Sequence, residues 1–178
     1  MFWNRILECV QDMPADGHCG FHAVAFHLGA GSDSSWASIR KDLLQCFLHQ
    51  KAFWLSLLGE EANMLENQLY WQGSGSAPPA NWYSSPECTI LTATLYARPV
   101  VVLTDKGHAT TFLPYTTEAG GKEMVLLHIN GNHWQVGELL TGSAWPLIDA
   151  IWKHHSSIAQ RHFWMSQIQN QVDRWPCV

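Results

Sequence analysis

The cysteine in "PADGHCGFHAVAFHLG" (residues 14–29) is a candidate for covalent chemistry. Cys19 follows a loop-forming Asp-Gly pair and begins an apolar stretch with helical spacing, which predicts that it lies at or near the N-terminus of a helix. The positive end of the helix dipole and the unpaired backbone N–H groups favour a thiolate there. Taken alone, this stretch fits a buried thiol, a metal ligand or a nucleophile.

A nucleophilic Cys19 needs a charged partner. Lowering a thiol pKa from about 8.5 to about 6 requires roughly 3.4 kcal/mol, and a helix dipole supplies about 0.3 to 1 kcal/mol, or ~2 kcal/mol at best. The chain has ten histidines. His133 follows a turn and begins a predicted strand, from which it can face a thiol at a helix end, whereas His22 would lie alongside Cys19 on the same helix. We therefore favour His133 as the general base.

A metal site at Cys19 is the less favoured interpretation. His18, His22 and His27 crowd one helix, and no second Cys or His group follows at a zinc-binding spacing. The five cysteines form no CxxC pair. We expect reduced thiols, an intracellular protein of the cytoplasm or nucleus, no metal and no cofactor.

Hydrophobic periodicity predicts the helices that position these residues. Apolar residues recur at helical spacing after Cys19, again within 32–50, and in a stretch over 51–71 that is broken near Gly59. Ser84 and Glu87 have the spacing of a capping box, which predicts a helix from Ser84 to about Ala97. Between these helices, "QGSGSAPPAN" (residues 72–81) is expected to be a mobile surface loop.

Strands are predicted mainly in the second half of the chain. Runs rich in β-branched or apolar residues lie at 98–105, 109–115, 123–130 and 133–140, and Gly131 with Asn132 marks a turn before the last run. Helices first and strands second indicate an α+β fold, with helices packed on a small central β-sheet. We expect a single domain over 1–178, with a helical C-terminal extension at 145–178 whose role the sequence leaves open.

Composition excludes several classes of function. The chain has 178 residues, of which 47% are hydrophobic and 14% charged, and a formal net charge of −5. Its ten Lys and Arg residues are scattered, so the sequence lacks the basic patch typical of a nucleic-acid-binding protein. It has no apolar run approaching the ~18 residues of a membrane span. We expect no nucleic-acid or membrane partner, and a monomer.

Two motifs carry a resemblance to a known family. "ADGHCGFHAVA" (15–25) resembles the Asp-Gly-x-Cys signature of the ovarian-tumour (OTU) cysteine proteases, most of whose characterised members are deubiquitinases. "INGNHWQV" (129–136) is similar to the family's second signature, a strand-borne histidine followed by an aromatic residue. "NWYSSPECTILTATLYARPVVVL" (81–103) resembles the passage between them. The resemblance covers about 12–140 and extends to OTU-like domains of transposon-associated and viral proteins.

The resemblance implies an OTU fold, ubiquitin or a ubiquitin-like protein as partner, and no cofactor. It makes Cys19 the nucleophile that attacks the carbonyl after a Gly-Gly tail, and His133 its base and then the acid for the leaving amine. It also implies an oxyanion hole and a narrow substrate channel. The oxyanion hole would consist of the backbone N–H groups of Asp16, Gly17, His18 and Cys19, and the channel would be lined by Trp134 and Trp82.

The sequence departs from the family in the third catalytic residue. Many relatives have Asp or Asn two residues after the histidine, where this chain has Gln135. Asp16, Asn130 and Asn132 are the other candidates to orient His133, and we expect Asp16 to do so. A processing protease of viral type that cuts its own polyprotein, and an inactive OTU-like module that only binds ubiquitin, are the alternative functions.

Overall fold

A five-stranded mixed sheet organises the chain in the computed structural model, which describes residues 3–30 and 35–176. The strand order is β1-β5-β4-β2-β3, and every neighbouring pair is antiparallel except β4 with β2. The strands are β1 (Leu7–Asp12), β2 (Val100–Thr104), β3 (Ala109–Phe112), β4 (Met124–Ile129) and β5 (His133–Leu139).

Helices cover both faces of this sheet. The α-helices among the described residues are α1 (Cys19–His27), α2 (Ser35–His49), α3 (Lys51–Leu58), α4 (Glu61–Leu69), α5 (Glu87–Tyr96), α6 (Ala150–His155) and α7 (Ile158–Asp173), and a 3₁₀ turn spans Pro79–Asn81. None of these helices combines the length and the apolar character that crossing a membrane requires. The α+β class and the packing of helices on a small sheet are as predicted.

Each face of the sheet has its own apolar core. Residues of α1 to α5 pack on one face with alternate residues of the central strands, among them Val102 and Leu126. On the other face, Val101 and Leu127 pack against Trp152 of α6 and Trp164 of α7. Because β2 and β4 are covered on both sides, their sequences are continuous apolar runs. The C-terminal region at 145–176 therefore covers the second face of the sheet.

A tight turn fixes the start of β5. Asn130 and Gly131 both have positive φ, 54° and 73°, as a type I′ hairpin turn requires. The N–H of Asn132 donates to the carbonyl of Ile129 at 3.2 Å, and Ile129 pairs with His133 across the hairpin. The predicted turn and all four predicted strands are confirmed, and His133 is the first residue of β5.

One local prediction is wrong, and one strand was missed. The helix predicted from Ser84 begins at Glu87 without a side-chain cap, because the Ser84 hydroxyl donates to Gln68 on α4 instead. The strand β1 was not predicted, since its residues after Leu7 are exposed and show no apolar alternation. This edge strand pairs with β5, and its first residue, Leu7, packs in the second apolar core.

Candidate active site

Cys19 is the first residue of α1, and its side chain is almost enclosed, with 5% of the residue exposed. The sulfur lies against the backbone N–H groups of Trp134 and Gly20, both of which favour the thiolate. Burial is the larger influence and raises the pKa of Cys19 above its ordinary value. The resting thiol is therefore protonated at neutral pH, and the predicted preference for a thiolate is not met in the free protein.

Cys19 can approach β5 because the start of α1 lacks bulk. Gly20 packs against Tyr83 so closely that a Cβ at position 20 would collide with the tyrosine side chain. The sulfur consequently reaches the backbone of Trp134, the residue after His133. The structure thus brings the predicted nucleophile and the predicted base to one end of the sheet.

His133 is held by a carboxylate on the edge strand. Its Nε2 lies 2.7 Å from Oδ1 of Asp12, the last residue of β1. An ionised carboxylate only accepts hydrogen bonds, so Nε2 carries the proton and Nδ1 is left as the acceptor nitrogen. A histidine in this tautomer can take a proton from a thiol through Nδ1.

Strand register explains why Asp12 reaches this histidine. Asp12 pairs with Gln135 in the antiparallel β1–β5 ladder, and His133 lies two residues earlier on the same face of β5. The amide of Gln135 donates to the same Oδ1 at 3.0 Å. The hydrogen bond from His133, and after it the bond from Gln135, lowers the pKa of Asp12. Asp12 is therefore ionised at neutral pH. Gln135 contacts the carboxylate instead of replacing it.

The structure corrects the prediction that Asp16 orients His133. Asp16 Oδ1 accepts the backbone N–H of His18 at 2.8 Å, and its Oδ2 lies 3.0 Å from Nε2 of His22. These contacts lower the pKa of Asp16 although burial opposes them. Asp16 therefore organises the loop before Cys19. The other two candidates, Asn130 and Asn132, are exposed residues of the hairpin turn.

The loop from Asp16 to Cys19 provides some of the expected oxyanion donors. The N–H of His18 is already bonded to Asp16, whereas those of Gly17 and Cys19 donate to no other described residue. Gly17 has φ +79°, and a Cβ there would collide with the carbonyl of Ala77 and lie 2.8 Å from Nε1 of Trp82. Only glycine fits this position.

The expected mobile loop is anchored to the catalytic loop. The N–H of Ala77 donates to the carbonyl of Asp16 at 2.9 Å, and Nε2 of His18 lies 3.2 Å from the carbonyl of Gly75. Trp82 closes this junction by donating from Nε1 to the carbonyl of Ala77 at 2.9 Å. The segment 75–82 is therefore a wall beside the Asp16–Cys19 loop.

The two predicted channel residues occupy different environments. Trp82 is half-buried beside Gly17, next to the nucleophile loop. Trp134 is 3% exposed, donates its indole N–H to the carbonyl of Tyr83 and stacks on His128 with ring centroids 4.4 Å apart. Packing explains the position of Trp134, and its role as a channel wall stays a prediction.

The histidines near Cys19 have other partners. His22 bonds Asp16, and Nε2 of His27 lies 3.0 Å from the backbone of Val125 on β4. Within residues 3–30 and 35–176, no three His, Cys, Asp or Glu side chains are grouped so that they could hold a metal ion.

Asp12 is the site residue that the sequence did not reveal. It belongs to β1, the strand that was not predicted, and its side chain is 71% exposed. The one signal nearby was Pro14, which favours extended backbone at Met13, the residue after Asp12. The orienting carboxylate lies 121 residues before His133 in the chain.

Known structures share this architecture. The viral OTU domain protease from Taggert virus matches with a TM-score of 0.56 and 16% identity, over 84% of this chain and 89% of that one. The Hazara virus OTU bound to ubiquitin matches with a TM-score of 0.51 and 19% identity, over 77% and 84%. The OTUD1 OTU domain matches with a TM-score of 0.51 and 12% identity, over 71% and 82%.

No family model and no curated protein matches the sequence. The likeness to the solved structures is one of fold, and it spans most of both chains in each pair. The five-stranded sheet with its covering helices is the fold of the OTU domains.

Proposed function

We propose that this protein is a cysteine-dependent isopeptidase that cleaves the bond after the C-terminal Gly-Gly of ubiquitin or a ubiquitin-like protein. The observation that carries the proposal is the arrangement of a cysteine, a histidine and a carboxylate at one end of the sheet of an OTU fold. Oδ1 of Asp12 lies 2.7 Å from Nε2 of His133, and Cys19 lies at the same end of the sheet. Ubiquitin as partner is supported by the Hazara virus OTU, which is bound to ubiquitin.

In the proposed reaction, Cys19 passes its thiol proton to Nδ1 of His133 while its sulfur attacks the carbonyl carbon of the terminal glycine. The imidazolium formed keeps its Nε2–H on Asp12, which stabilises the positive charge. The tetrahedral intermediate then collapses, and the lysine amine leaves with the proton from His133. Water, activated by the same histidine, hydrolyses the thioester and regenerates the thiol.

Backbone N–H groups of Gly17 and Cys19 would bind the oxyanion of the tetrahedral intermediate. Both lie on the loop that the wall 75–82 supports, so they are fixed before substrate arrives. Loss of one such donor costs about 2.7 to 4 kcal/mol in the chemical step. No metal or cofactor takes part in this scheme.

The enclosed thiol favours a second candidate, an inactive module that binds ubiquitin. Burial raises the pKa of Cys19, which lowers the fraction of reactive thiolate in the free protein. In the isopeptidase, binding of the substrate tail must allow Cys19 to pass its proton to His133. In an inactive module, the thiol of Cys19 would stay protonated when ubiquitin is bound.

Hydrolysis of a fluorogenic amide at the C-terminus of intact ubiquitin separates the candidates. The isopeptidase proposal predicts turnover by the wild type and none by Cys19→Ala. A ubiquitin-derived peptide that ends in Gly-Gly should be a poor substrate, because it lacks the folded surface. Equal cleavage of the peptide would favour the processing protease, and ubiquitin binding without cleavage would favour the inactive module.

A further inference from the structure

A buried arginine lies behind the nucleophile loop. Arg40 of α2 is 3% exposed, and its guanidinium carbon lies 3.9 Å from the ring centroid of Phe21. Nη1 donates to the carbonyl of Gln68 at 2.8 Å and Nη2 to that of Asn81 at 2.9 Å. Nη2 also lies 3.0 Å from Nδ1 of His18, the residue before Cys19.

We propose that Arg40 is a positioning residue that acts through His18 and holds the Asp16–Cys19 loop against the wall 75–82. This inference rests on the proposed function for its catalytic consequence. Its structural basis is the chain of contacts from Arg40 to His18 to Gly75.

The partners of His18 select one tautomer. A guanidinium has donors only, so Nδ1 of His18 accepts from Arg40 and carries no proton. The carbonyl of Gly75 only accepts, so Nε2 of His18 carries the proton and donates to it. Both contacts require the neutral Nε2–H imidazole, and neither can be kept by the opposite tautomer.

His18 is also fixed in orientation. Its ring stacks on Trp36 of α2, with centroids 3.5 Å apart and an interplanar angle of 11°. Residues 17 and 19 flank His18 directly, so a shift of the His18 backbone after loss of these contacts would displace the N–H groups of Gly17 and Cys19. A misplacement of about 1 Å in a catalytic site costs on the order of 10²-fold in rate.

Protonation of His18 would break the arrangement. A proton on Nδ1 would point at the donors of Arg40, and the remaining charged or titratable groups that face His18 are Asp16 and His22 on its own loop and helix. Burial, aided by the charge of Arg40, lowers the pKa of His18 and keeps it neutral at neutral pH.

Two variants of His18 separate the two contacts. The amide oxygen of Asn occupies a place near that of Nδ1, so His18→Asn preserves an acceptor for Arg40. The amide nitrogen of Gln reaches the place of Nε2, so His18→Gln preserves a donor to Gly75 and loses the acceptor. If Arg40 only joins α2 to Gln68 and Asn81, the two variants should behave alike.

The deciding experiment measures the full chain by nitrogen-15 NMR of its histidines and by hydrogen exchange at 15–20 and 72–82. We expect the Nε2–H tautomer at His18, with the signal assigned by its loss in His18→Asn. Arg40→Lys and His18→Gln should raise exchange at 15–20 by about tenfold or more. His18→Asn keeps the acceptor for Arg40 but loses the donor to Gly75, so it should raise exchange at 15–20 by less than about threefold and have its larger effect at 72–82. A protonated Nδ1 in the wild type, or equal exchange at 15–20 in the two His18 variants, would overturn the proposal.

Turnover of the ubiquitin amide supplies the catalytic readout. Arg40→Lys and His18→Gln should lower kcat by about 10- to 100-fold with KM changed by less than threefold, because the loop and not the binding surface is displaced. An unchanged kcat in both variants would overturn the positioning role. Absence of turnover in the wild type would overturn the proposed function alone, since the tautomer and exchange measurements need no substrate.

Discussion

The carboxylate of Asp12 and the imidazole of His133 are 121 residues apart in the chain, and a hydrogen bond of 2.7 Å joins them. The bond crosses the β1–β5 pair, in which Asp12 lies opposite Gln135. An edge strand thereby supplies the group that orients His133. In many proteins of the family that the sequence resembles, this group is an Asp or Asn two residues after the histidine. Anchorage of β1 to β5 is consequently part of the proposed catalytic machinery.

We expect Asp12→Ala to lower kcat/KM for the ubiquitin amide by about 10- to 100-fold, because the His133 ring loses the partner that fixes its tautomer and orientation. Asp12→Asn should stay within about tenfold of the wild type, since its amide oxygen can accept the Nε2–H. Glu8→Ala, an exposed residue of the same strand, is the matched control. Activity of Asp12→Ala equal to that of the wild type would contradict the orienting role of Asp12.

Gly17→Ala should abolish activity and destabilise the fold. The new Cβ meets the carbonyl of Ala77 at a backbone with φ +79°. Gly142→Ala is the control, because Gly142 has φ +76° and open space around its Cα. In urea unfolding, Gly142→Ala should lower the free energy of unfolding by about 1 to 2 kcal/mol, the cost of a left-handed alanine. Gly17→Ala should lower it by clearly more. Equal losses would contradict the close packing of the loop on the wall 75–82.

Free Cys19 should react slowly with a small alkylating reagent. It is 5% exposed and burial raises the pKa of its thiol, whereas Cys9 on β1 is exposed. Peptide mass spectrometry after brief iodoacetamide treatment at pH 7 should show Cys9 modified before Cys19. Cys9→Ser provides the control that shows whether the rate at Cys19 depends on modification of Cys9. Faster modification of Cys19 than of Cys9 would mean that the resting protein already holds a thiolate.

Acidification should destabilise the protein. Burial is the largest cause that lowers the pKa values of His18, His27 and His128, so the unfolded chain binds more protons than the folded one as pH falls below about 6.5. The free energy of unfolding, measured in urea, should therefore decrease from pH 7.5 to pH 5. Asp12 and Asp16, whose pKa values are lowered, add a further loss below about pH 4.

The variant His27→Gln tests this pH dependence. Glutamine can still bond the backbone of Val125 but does not titrate, so the slope of stability against pH should become shallower. His162→Gln, at an exposed position on α7, is the matched control. A stability that is constant or rises on acidification would contradict the burial of these imidazoles.

Hydrophobic periodicity in the sequence predicted the helices and strands that have one or both faces buried. Cys19 at the start of α1 and His133 at the start of β5 follow from such patterns, and both lie where they were expected. The pattern fails for β1, because an exposed edge strand has no apolar alternation to detect. Asp12 was missed with its strand.

Tertiary contacts decide the features that local sequence leaves open. Ser84 has the spacing of a capping residue but bonds Gln68, and the Gly/Pro-rich stretch 72–81 is joined to the catalytic loop at Gly75 and Ala77. Asp16 precedes the nucleophile as the motif suggests, yet its carboxylate bonds His22. The partners of Ser84 and of the stretch 72–81 are distant in the sequence. Asp16 has several possible donors nearby, and the local sequence does not determine which of them it bonds.

The most direct test of the central claim is covalent labelling of the purified full chain by ubiquitin that carries an electrophile at its C-terminus, measured as a shift in intact mass. We predict one ubiquitin per chain, attached at Cys19, with no adduct in Cys19→Ala and a strongly slowed reaction in His133→Ala. An adduct that persists in Cys19→Ala, or no adduct with a folded wild-type protein, would contradict the assignment of Cys19 and His133 as a ubiquitin-directed catalytic pair.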